Sequence, residues 1–433
     1  MQSSVYVFEN GLRKVRPYYL QFNTHPKPRW IGRTVVDVFS SEFGEAKDIL
    51  RLDIDNELMY IRTGFGRKGG ETVLKGWDSI GDRILDKFDV ICNSKHMHEP
   101  SVPECPLQLH EDVDYPSQAK TRLKIVFENE DMLVVDKPSG IPTHPTGNYY
   151  YNTMTEILKH DLNMKNVWPF HRLDKVTSGI LIFGKSKTAC DTYSSIFQNE
   201  KDNISKQYLA RIEGEFPTTE VMVNCPIFSV NSTGGYIKPL NADMLPINST
   251  TVFKRLRYSK ELNQSIVICR PLTGRMHQIR IHLRNIGHPI VNDYLYNPTN
   301  DELHNQEINM INGSIEVEIY NRLFEKYPSF GKVQPVDVTI AKTDECIDLF
   351  EIASIKDDNR LQSKLQELQK LRQESLARLK SKNNTTCTEC NRQLFDTNKD
   401  MTDSQIWLHA YKYQYIGDLK FSFQTEEPSW CSI

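Results

Sequence analysis

Apolar residues recur along this chain with two periods, and the switch between them marks its elements. Ile125-Val126-Phe127 and Met132-Leu133-Val134-Val135 are apolar, β-branched-rich runs on either side of Glu128-Asn129-Glu130-Asp131. Two such runs around an acidic turn predict a hairpin, which ends in the loop Lys137-Pro138-Ser139-Gly140. Met154, Ile157, Leu158 and Leu162 fall at helical spacing and predict an amphipathic helix over 151–164. The run at 180–183 predicts a buried strand and 188–198 a helix. Residues 206–214 alternate apolar with polar, which predicts a strand with Tyr208 on its inward side, where a core aromatic is the common outcome. Residues 406–413 read as the last core strand and 427–430 as a closing loop.

The flanking regions are less regular. Residues 34–39 suggest a short helix, 64–70 a glycine-rich turn, and Gly81-Asp82-Arg83-Ile84-Leu85 the opening of a strand. Residues 93–121, rich in Pro, His and Glu, read as a linker. The first thirty residues interleave bases and aromatics, as in Lys27-Pro28-Arg29-Trp30, which suits phosphates and stacked bases or an arm packed on the main domain. Leu361, Leu365, Leu368, Leu371, Leu376 and Leu379 predict an amphipathic helix over 357–382, about 39 Å long if continuous, with a stripe for its own domain or for a partner. Cys387-Thr388-Glu389-Cys390 is half of a zinc knuckle without a second Cys pair, so no metal is assigned. His277, His282 and His288 also lack a nearby Cys or acid cluster that would complete a zinc site.

Composition adds bounds. The 433 residues are 39% hydrophobic and 25% charged, which fits a soluble protein of two or three domains. No apolar run approaches the roughly 20 residues that span a membrane, and the first residues show neither a secretory nor a clear transit pattern. Cytoplasmic residence with nuclear or mitochondrial pools is expected, and the nine cysteines are expected to be reduced. Net charge is only −3, but residues 251–290 carry eight Lys and Arg against Glu261 alone. That excess suggests a face for a polyanion, or a surface paired with acids elsewhere.

The densest chemistry lies in His171-Arg172-Leu173-Asp174-Lys175-Val176-Thr177-Ser178-Gly179, just before the buried strand. A carboxylate between Arg172 and Lys175 is favoured as the anion, which suits a nucleophile, a base or a plain loop salt bridge. A second motif, Gly274-Arg275-Met276-His277-Gln278-Ile279-Arg280-Ile281-His282, reads as a glycine turn opening a basic helix, with Arg275, Gln278 and His282 near one face. Neither a phosphate-binding P-loop nor a dinucleotide fingerprint is present, so no nucleotide or redox cofactor is expected.

His-Arg-Leu-Asp-x-x-Thr-Ser-Gly resembles the signature of the RluA-type pseudouridine synthases. The hairpin at 125–140 resembles that family's first motif and Lys206–Gly214 its second. The Gly274–His282 string, followed by Gly287-His288-Pro289-Ile290 and Asp293-Tyr294-Leu295-Tyr296, resembles its third. The likeness covers 122–296 and 404–430. It implies an α+β pseudouridine synthase fold, a mixed, mainly antiparallel sheet with flanking helices. The implied layout is an arm at 1–31, an S4-like RNA-binding module at 32–92, a linker at 93–121 and a catalytic domain at 122–430. An insertion at about 297–403 interrupts that domain.

By the same resemblance Asp174 is the catalytic residue, acting as nucleophile or as the base that removes a ribose proton. Tyr208 stacks on the uracil and assists proton transfer at C5, Arg280 pairs with Asp174, and Ile279 packs beneath the base. Arg172 fills the space left by the extruded base or holds a phosphate, with His171, Arg275 and Gln278 as further substrate contacts. Lys137 and Pro138 support the loop without chemistry. Residues 9–19, Glu9-Asn10-Gly11-Leu12-Arg13-Lys14-Val15-Arg16-Pro17-Tyr18-Tyr19, resemble fungal and animal members that modify the tRNA anticodon stem-loop. The expected activity is therefore isomerisation of uridine 31 or 32 of tRNA by a monomer without cofactor, metal or membrane. Ribosomal RNA as substrate, a catalytically silent RNA-binding protein, and an interaction protein organised by the 357–382 helix are the alternatives.

Overall fold

The computed structural model describes residues 5–67, 69–108, 123–200, 203–231, 236–239, 249–297, 306–326, 328, 334–335, 358–382, 386–391 and 405–433. The chain divides into two units, one formed by Met1–Val5, Val15–Pro100 and Leu376–Thr397, the other by the remainder.

In the first unit, strands β1 (Tyr18–Thr24), β2 (Met59–Thr63), β3 (Thr72–Leu74) and β4 (Val90–Met97) form an antiparallel sheet in the order β1-β4-β2-β3. Helices α1 (Val35–Glu42) and α2 (Lys47–Asp55) supply its core. The Thr34 hydroxyl accepts from the Asp37 N–H and caps α1, which explains why a β-branched stretch starts a helix there. Val35, Val38, Leu50 and Ile54 then bury against Trp30, Met59, Ile61 and Ile91. Two expectations change. Residues 81–85 form a bend and an isolated antiparallel bridge from Ile84 to Thr34 rather than a strand opening, and Arg83 makes an ion pair with the fully buried Asp89. Residues 93–97, read as linker, are the second half of β4, because Cys92 and Met97 are buried and every position from Ile91 to Met97 pairs with β1.

The second unit is built on a twelve-stranded sheet among the described residues. Its principal members are β5 (Leu123–Glu128), β6 (Met132–Lys137), β7 (Ser178–Gly184), β8 (Ile204–Glu213), β9 (Val221–Asn224), β10 (Thr250–Ser259), β11 (Gln264–Pro271), β12 (Leu408–Tyr415) and β13 (Phe421–Gln424). They run in the order β9-β10-β11-β8-β12-β7-β6-β5, with β13 on β12. Neighbours are antiparallel except β7 with β12, and β5 with the two-residue strand Leu107–Gln108. The fold is thus α+β, with a mixed, mainly antiparallel sheet. Helices α3 (Met154–Asp161), α4 (Lys187–Asn199), α5 (Gln278–Asn285), α6 (Gln306–Lys326) and α7 (Asn359–Lys382) accompany it.

One core surrounds β5, β6 and β7, and another surrounds β8 to β11 with α5. The alternation in β8 predicts one buried face, yet both faces are covered. Ala210 and Ile212 enter the large core, while Leu209 on the other face packs with Ile266 and Cys431 of the closing 3-10 turn. Leu361, Leu365 and Leu368 of α7 bury in the same core as Ile315, Ile319 and Leu323 of α6. Lys364 and Arg322 bind Glu318, and Arg322 also binds Asp358. This part of the leucine stripe is therefore consumed within its own unit. The sequence reading did not include the helix α6, although Ile308, Ile311, Ile315, Ile319 and Leu323 recur at helical spacing and face the core. No helix among the described residues is long and apolar enough to cross a membrane.

The basic segment 251–290 also reads differently in three dimensions. Lys254 and Arg270 pair with Glu220, Arg255 with Glu215, Arg257 with Glu427, Arg280 with Asp293 and Arg284 with Glu316. Six of its eight cations meet acids from elsewhere, so the expectation of a basic face formed by this segment as a whole does not hold.

Candidate active site

One row of backbone pairing assembles the site. Gly179 of β7 pairs with Ala410 of β12, Ala410 pairs on its other side with Tyr208 of β8, and Tyr208 pairs with Cys269 of β11. The Asp174 loop enters this row just before β7. The turn to α5 leaves it just after β11. Gly179 has φ +109, and a Cβ there would lie 2.3 Å from the Ala410 carbonyl oxygen, so only glycine lets β7 and β12 meet at the row. A register shift between Gln207 and Tyr208 redirects the tyrosine at the same level.

The Asp174 loop is held through its own backbone. The Thr177 N–H donates to the Asp174 carbonyl at 3.1 Å and closes the turn. The loop after β6 then clamps it: the Gly140 N–H donates to the Lys175 carbonyl, Ser139 Oγ to the Val176 carbonyl, and Thr143 Oγ1 exchanges hydrogen bonds with Leu173. The fully buried Lys137 Nζ donates to the carbonyls of Pro138, Ile141 and Lys175 at 2.9, 2.9 and 3.2 Å. Burial pulls its pKa down to about 7, while three carbonyl acceptors and the Asp174 charge favour the ammonium.

From the other side comes α5. His277 precedes it in the left-handed region, φ +56, a conformation that costs a non-glycine residue of order 1–3 kcal/mol. Its Nε2 lies 3.6 Å from Asp174 Oδ2, and its Nδ1 lies 2.9 Å from the Tyr296 hydroxyl. Burial lowers the His277 pKa against the pull of Asp174 and raises that of Tyr296. A neutral imidazole accepting the Tyr296 proton at Nδ1 would present N–H to Asp174. Arg280 Nη1 is 3.7 Å from the same carboxylate oxygen. The tighter partner of Arg280 is Asp293, bound bidentately at 2.7 and 2.8 Å with both groups fully buried. Burial works against the guanidinium, but Asp293 more than offsets it, and the arginine pKa is raised.

These parts line a cleft of about 420 Å³. Asp174 is its only lining carboxylate among the described residues, against Arg172, Lys206, Arg275 and Arg280. Tyr208 forms one wall, its hydroxyl 3.1 Å from that of Tyr413, and burial raises its pKa to about 12. Ile279 lines the cleft from the first turn of α5.

Other expected positions differ. Lys175, adjacent to Asp174 in sequence, sends its Nζ to the Tyr149 hydroxyl at 2.8 Å, and Arg280 of α5 approaches the carboxylate instead. Arg275 lies before α5 rather than on a helical face with Gln278 and His282. Gln278 lines the cleft, and its amide makes its hydrogen bonds within the protein. It accepts from Thr273 and the Arg275 N–H, and donates to the Thr250 carbonyl and Thr251 Oγ1. These bonds fix the turn. His171 lines the cleft, stacks on Tyr413 at 4.5 Å and accepts from the Ile182 N–H, so it braces the wall. Burial drops its pKa to about 3. His277, Asp293 and Lys206 were missed as site residues, although His277 and Asp293 stand inside the matched third motif. No group of metal-ligating side chains occurs in the cleft among the described residues.

A family description, RNA pseudouridylate synthase, matches residues 131–285. The chain is 33% identical over 447 residues to the tRNA pseudouridine(31) synthase of Saccharomyces cerevisiae, covering 98% of this chain and 96% of that protein. The chain belongs to the RluA-type family of pseudouridine synthases. It is also 31% identical over 431 residues to the mitochondrial tRNA pseudouridine(32) synthase of the same yeast, covering 98% of this chain and 78% of that protein. Human pseudouridylate synthase RPUSD2 is 39% identical over 293 residues, 67% of this chain and 47% of that protein. As a pseudouridine synthase the protein is an isomerase. The family match takes in Asp174, Tyr208 and Arg280 and stops short of Asp293, the buried partner that fixes Arg280.

Proposed function

We propose that this protein isomerises uridine 31 or 32 in the anticodon stem-loop of tRNA, with Asp174 as the catalytic carboxylate. The observation that carries the reading is a single carboxylate facing four Lys and Arg side chains in one cleft, among the described residues, where four strands and α5 converge. The near full-length likeness to two tRNA enzymes supports the substrate class.

The reaction breaks N1–C1′, turns the uracil, and forms C5–C1′, while the C5 proton leaves and N1 gains one. Atoms and charge balance, so the protein needs only to act at the ribose and hold the base. Asp174 is aimed at the sugar by His277 and Arg280. Arg280 is itself immobilised by Asp293, so its charge faces Asp174 without side-chain reorganisation. Tyr208 and Ile279 hold the uracil between them as it turns. A cleft of about 420 Å³ suits a single flipped nucleotide, and a loop base leaves its stack at less cost than a paired one. Arg172, Lys206 and Arg275 bind the flanking phosphates. The S4-like reading of the first unit, as a second RNA contact, belongs to this proposal, as does a cytoplasmic location with a mitochondrial or nuclear pool.

The test is to incubate the purified protein with bulk tRNA and ribosomal RNA from cells lacking it, and to map pseudouridine. A new site confined to position 31 or 32 of tRNA supports the reading. A site confined to ribosomal RNA overturns the substrate assignment and leaves the enzyme standing.

A further inference from the structure

The first unit holds a group of side chains that the reaction does not use. His96 lies near the end of β4 and His98 two residues on, so an extended backbone carries both to one side. Beside them stand Cys387 and Cys390, nearly three hundred residues later in the chain. One ligand atom from each of the four lies within 4.8 Å of all the others. His96 Nδ1 is 3.6 Å from Cys387 Sγ, and His98 Nε2 is 3.4 Å from Cys390 Sγ.

We propose that His96, His98, Cys387 and Cys390 bind one zinc ion as a closed structural site. With Zn–S near 2.3 Å and Zn–N near 2.0–2.1 Å, a tetrahedral ion sets N···S edges of about 3.5 Å. Two of the four N···S edges, at 3.6 and 3.4 Å, lie either side of that value. The donor set, two imidazoles and two thiolates, suits zinc over harder cations. The backbone at the cysteines is shaped for it. The Glu389 N–H donates to Cys387 Sγ at 3.4 Å, and Asn391, in the left-handed region, returns its N–H to the Cys387 carbonyl at 3.0 Å. That is the turn a Cys-x-x-Cys knuckle needs to point two sulfurs at one centre.

A supporting shell is also present. The Glu389 carboxylate is 3.6 Å from His96 Nε2, the ring nitrogen turned away from Cys387. A carboxylate there sets the tautomer that leaves Nδ1 for the metal. Tyr19 stacks on the His96 ring at 4.6 Å from the paired position on β1 and covers its face. Four protein ligands leave no open position, so the ion ties the 386–391 segment to β4 and takes no part in chemistry. In this site the other half of the knuckle is not a second Cys pair but a His-x-His that begins on β4.

The test measures metal on the full chain, expressed with zinc and passed over a mild chelator. Elemental analysis should give about one zinc per chain, falling below about one tenth in Cys387→Ser/Cys390→Ser and in His96→Gln/His98→Gln. Cobalt added to wild-type chain stripped of metal should give the visible bands of tetrahedral cobalt and a thiolate charge-transfer band, and zinc should displace it. Since the variants can fail to fold, the stripped wild type is the second arm, and zinc should raise its melting temperature. A zinc-free chain in which Cys387 and Cys390 react equally fast with a thiol reagent with and without added zinc overturns the proposal. So does zinc retained at full stoichiometry by both double variants, or a Cys387–Cys390 disulfide in the protein as isolated.

Discussion

Two regions of the second unit are rich in cations, and they use them in opposite ways. Along β10 and β11, Lys254, Arg255, Arg257 and Arg270 meet Glu215, Glu220 and Glu427 at the surface. In the cleft, four cations surround one carboxylate, and the most buried of them, Arg280, is shared between a sealed partner at 2.7 Å and an accessible one at 3.7 Å. A count of charges along the sequence scores the two regions alike. What separates them is where the compensating acids come from, and only the cleft keeps an excess.

The contrast can be broken most severely at its centre. Asp174→Asn keeps the shape of the loop, whose hydrogen bonds are made by backbone, and removes the only carboxylate that lines the cleft among the described residues. Turnover should fall by at least about 10³-fold with an unchanged melting temperature.

Next in size is the sealed pair. Arg280→Met or Asp293→Leu alone leaves a buried charge without its partner and should cost about 3–5 kcal/mol in denaturant unfolding. The double variant should recover most of that stability while remaining inactive. Equal activity in the double variant and the wild type would remove Arg280 from the site.

Acid should loosen the unit by a third route. Burial lowers the pKa of His171 to about 3 and those of His282 and His409 to about 4. Below the unfolded value near 6.5 the unfolded chain takes up protons that the folded one refuses, so stability is lost as pH falls from about 6.5 to 4. The slope is at most about 1.4 kcal/mol per pH unit for each histidine. A melting temperature constant across that range would contradict the buried assignments.

The smallest effects separate the two basic regions directly. Arg255→Ala and Arg257→Ala should change stability by no more than about 1 kcal/mol and leave the salt dependence of RNA binding unaltered. Arg172→Ala and Lys206→Ala should each lower the slope of log K against log salt by about 1, if each meets a phosphate.

Much of this was legible in the sequence, and the limits have physical causes. The hairpin, β7, α4, β8 and β12 follow from apolar runs and turn residues, because strands buried on a face must carry such patterns. Asp174, Tyr208, Ile279 and Arg280 come together in the cleft because motifs at three separate places enter one row of the sheet. Asp293 stands inside the matched third motif, but its role depends on a bidentate geometry that spacing does not reveal. Gln278 and His171 both line the cleft, and the sequence could not show that the fold also takes up their hydrogen bonds. Likewise Lys175, next to Asp174 in sequence, turns to Tyr149. The His96–Cys390 cluster was out of reach because its halves lie nearly three hundred residues apart, one of them in a strand that had been read in part as linker.

The most direct test of the central claim is a single-turnover assay on an anticodon-arm RNA, comparing wild type with Asp174→Asn, with RNA affinity measured on the same preparations. The account predicts pseudouridine formation reduced by at least about 10³-fold with affinity held within about threefold, because the carboxylate acts on the transition state and the surrounding cations bind the RNA. An Asp174→Asn protein that forms pseudouridine at a rate near wild type would contradict it and send the search for the reacting group elsewhere in the molecule.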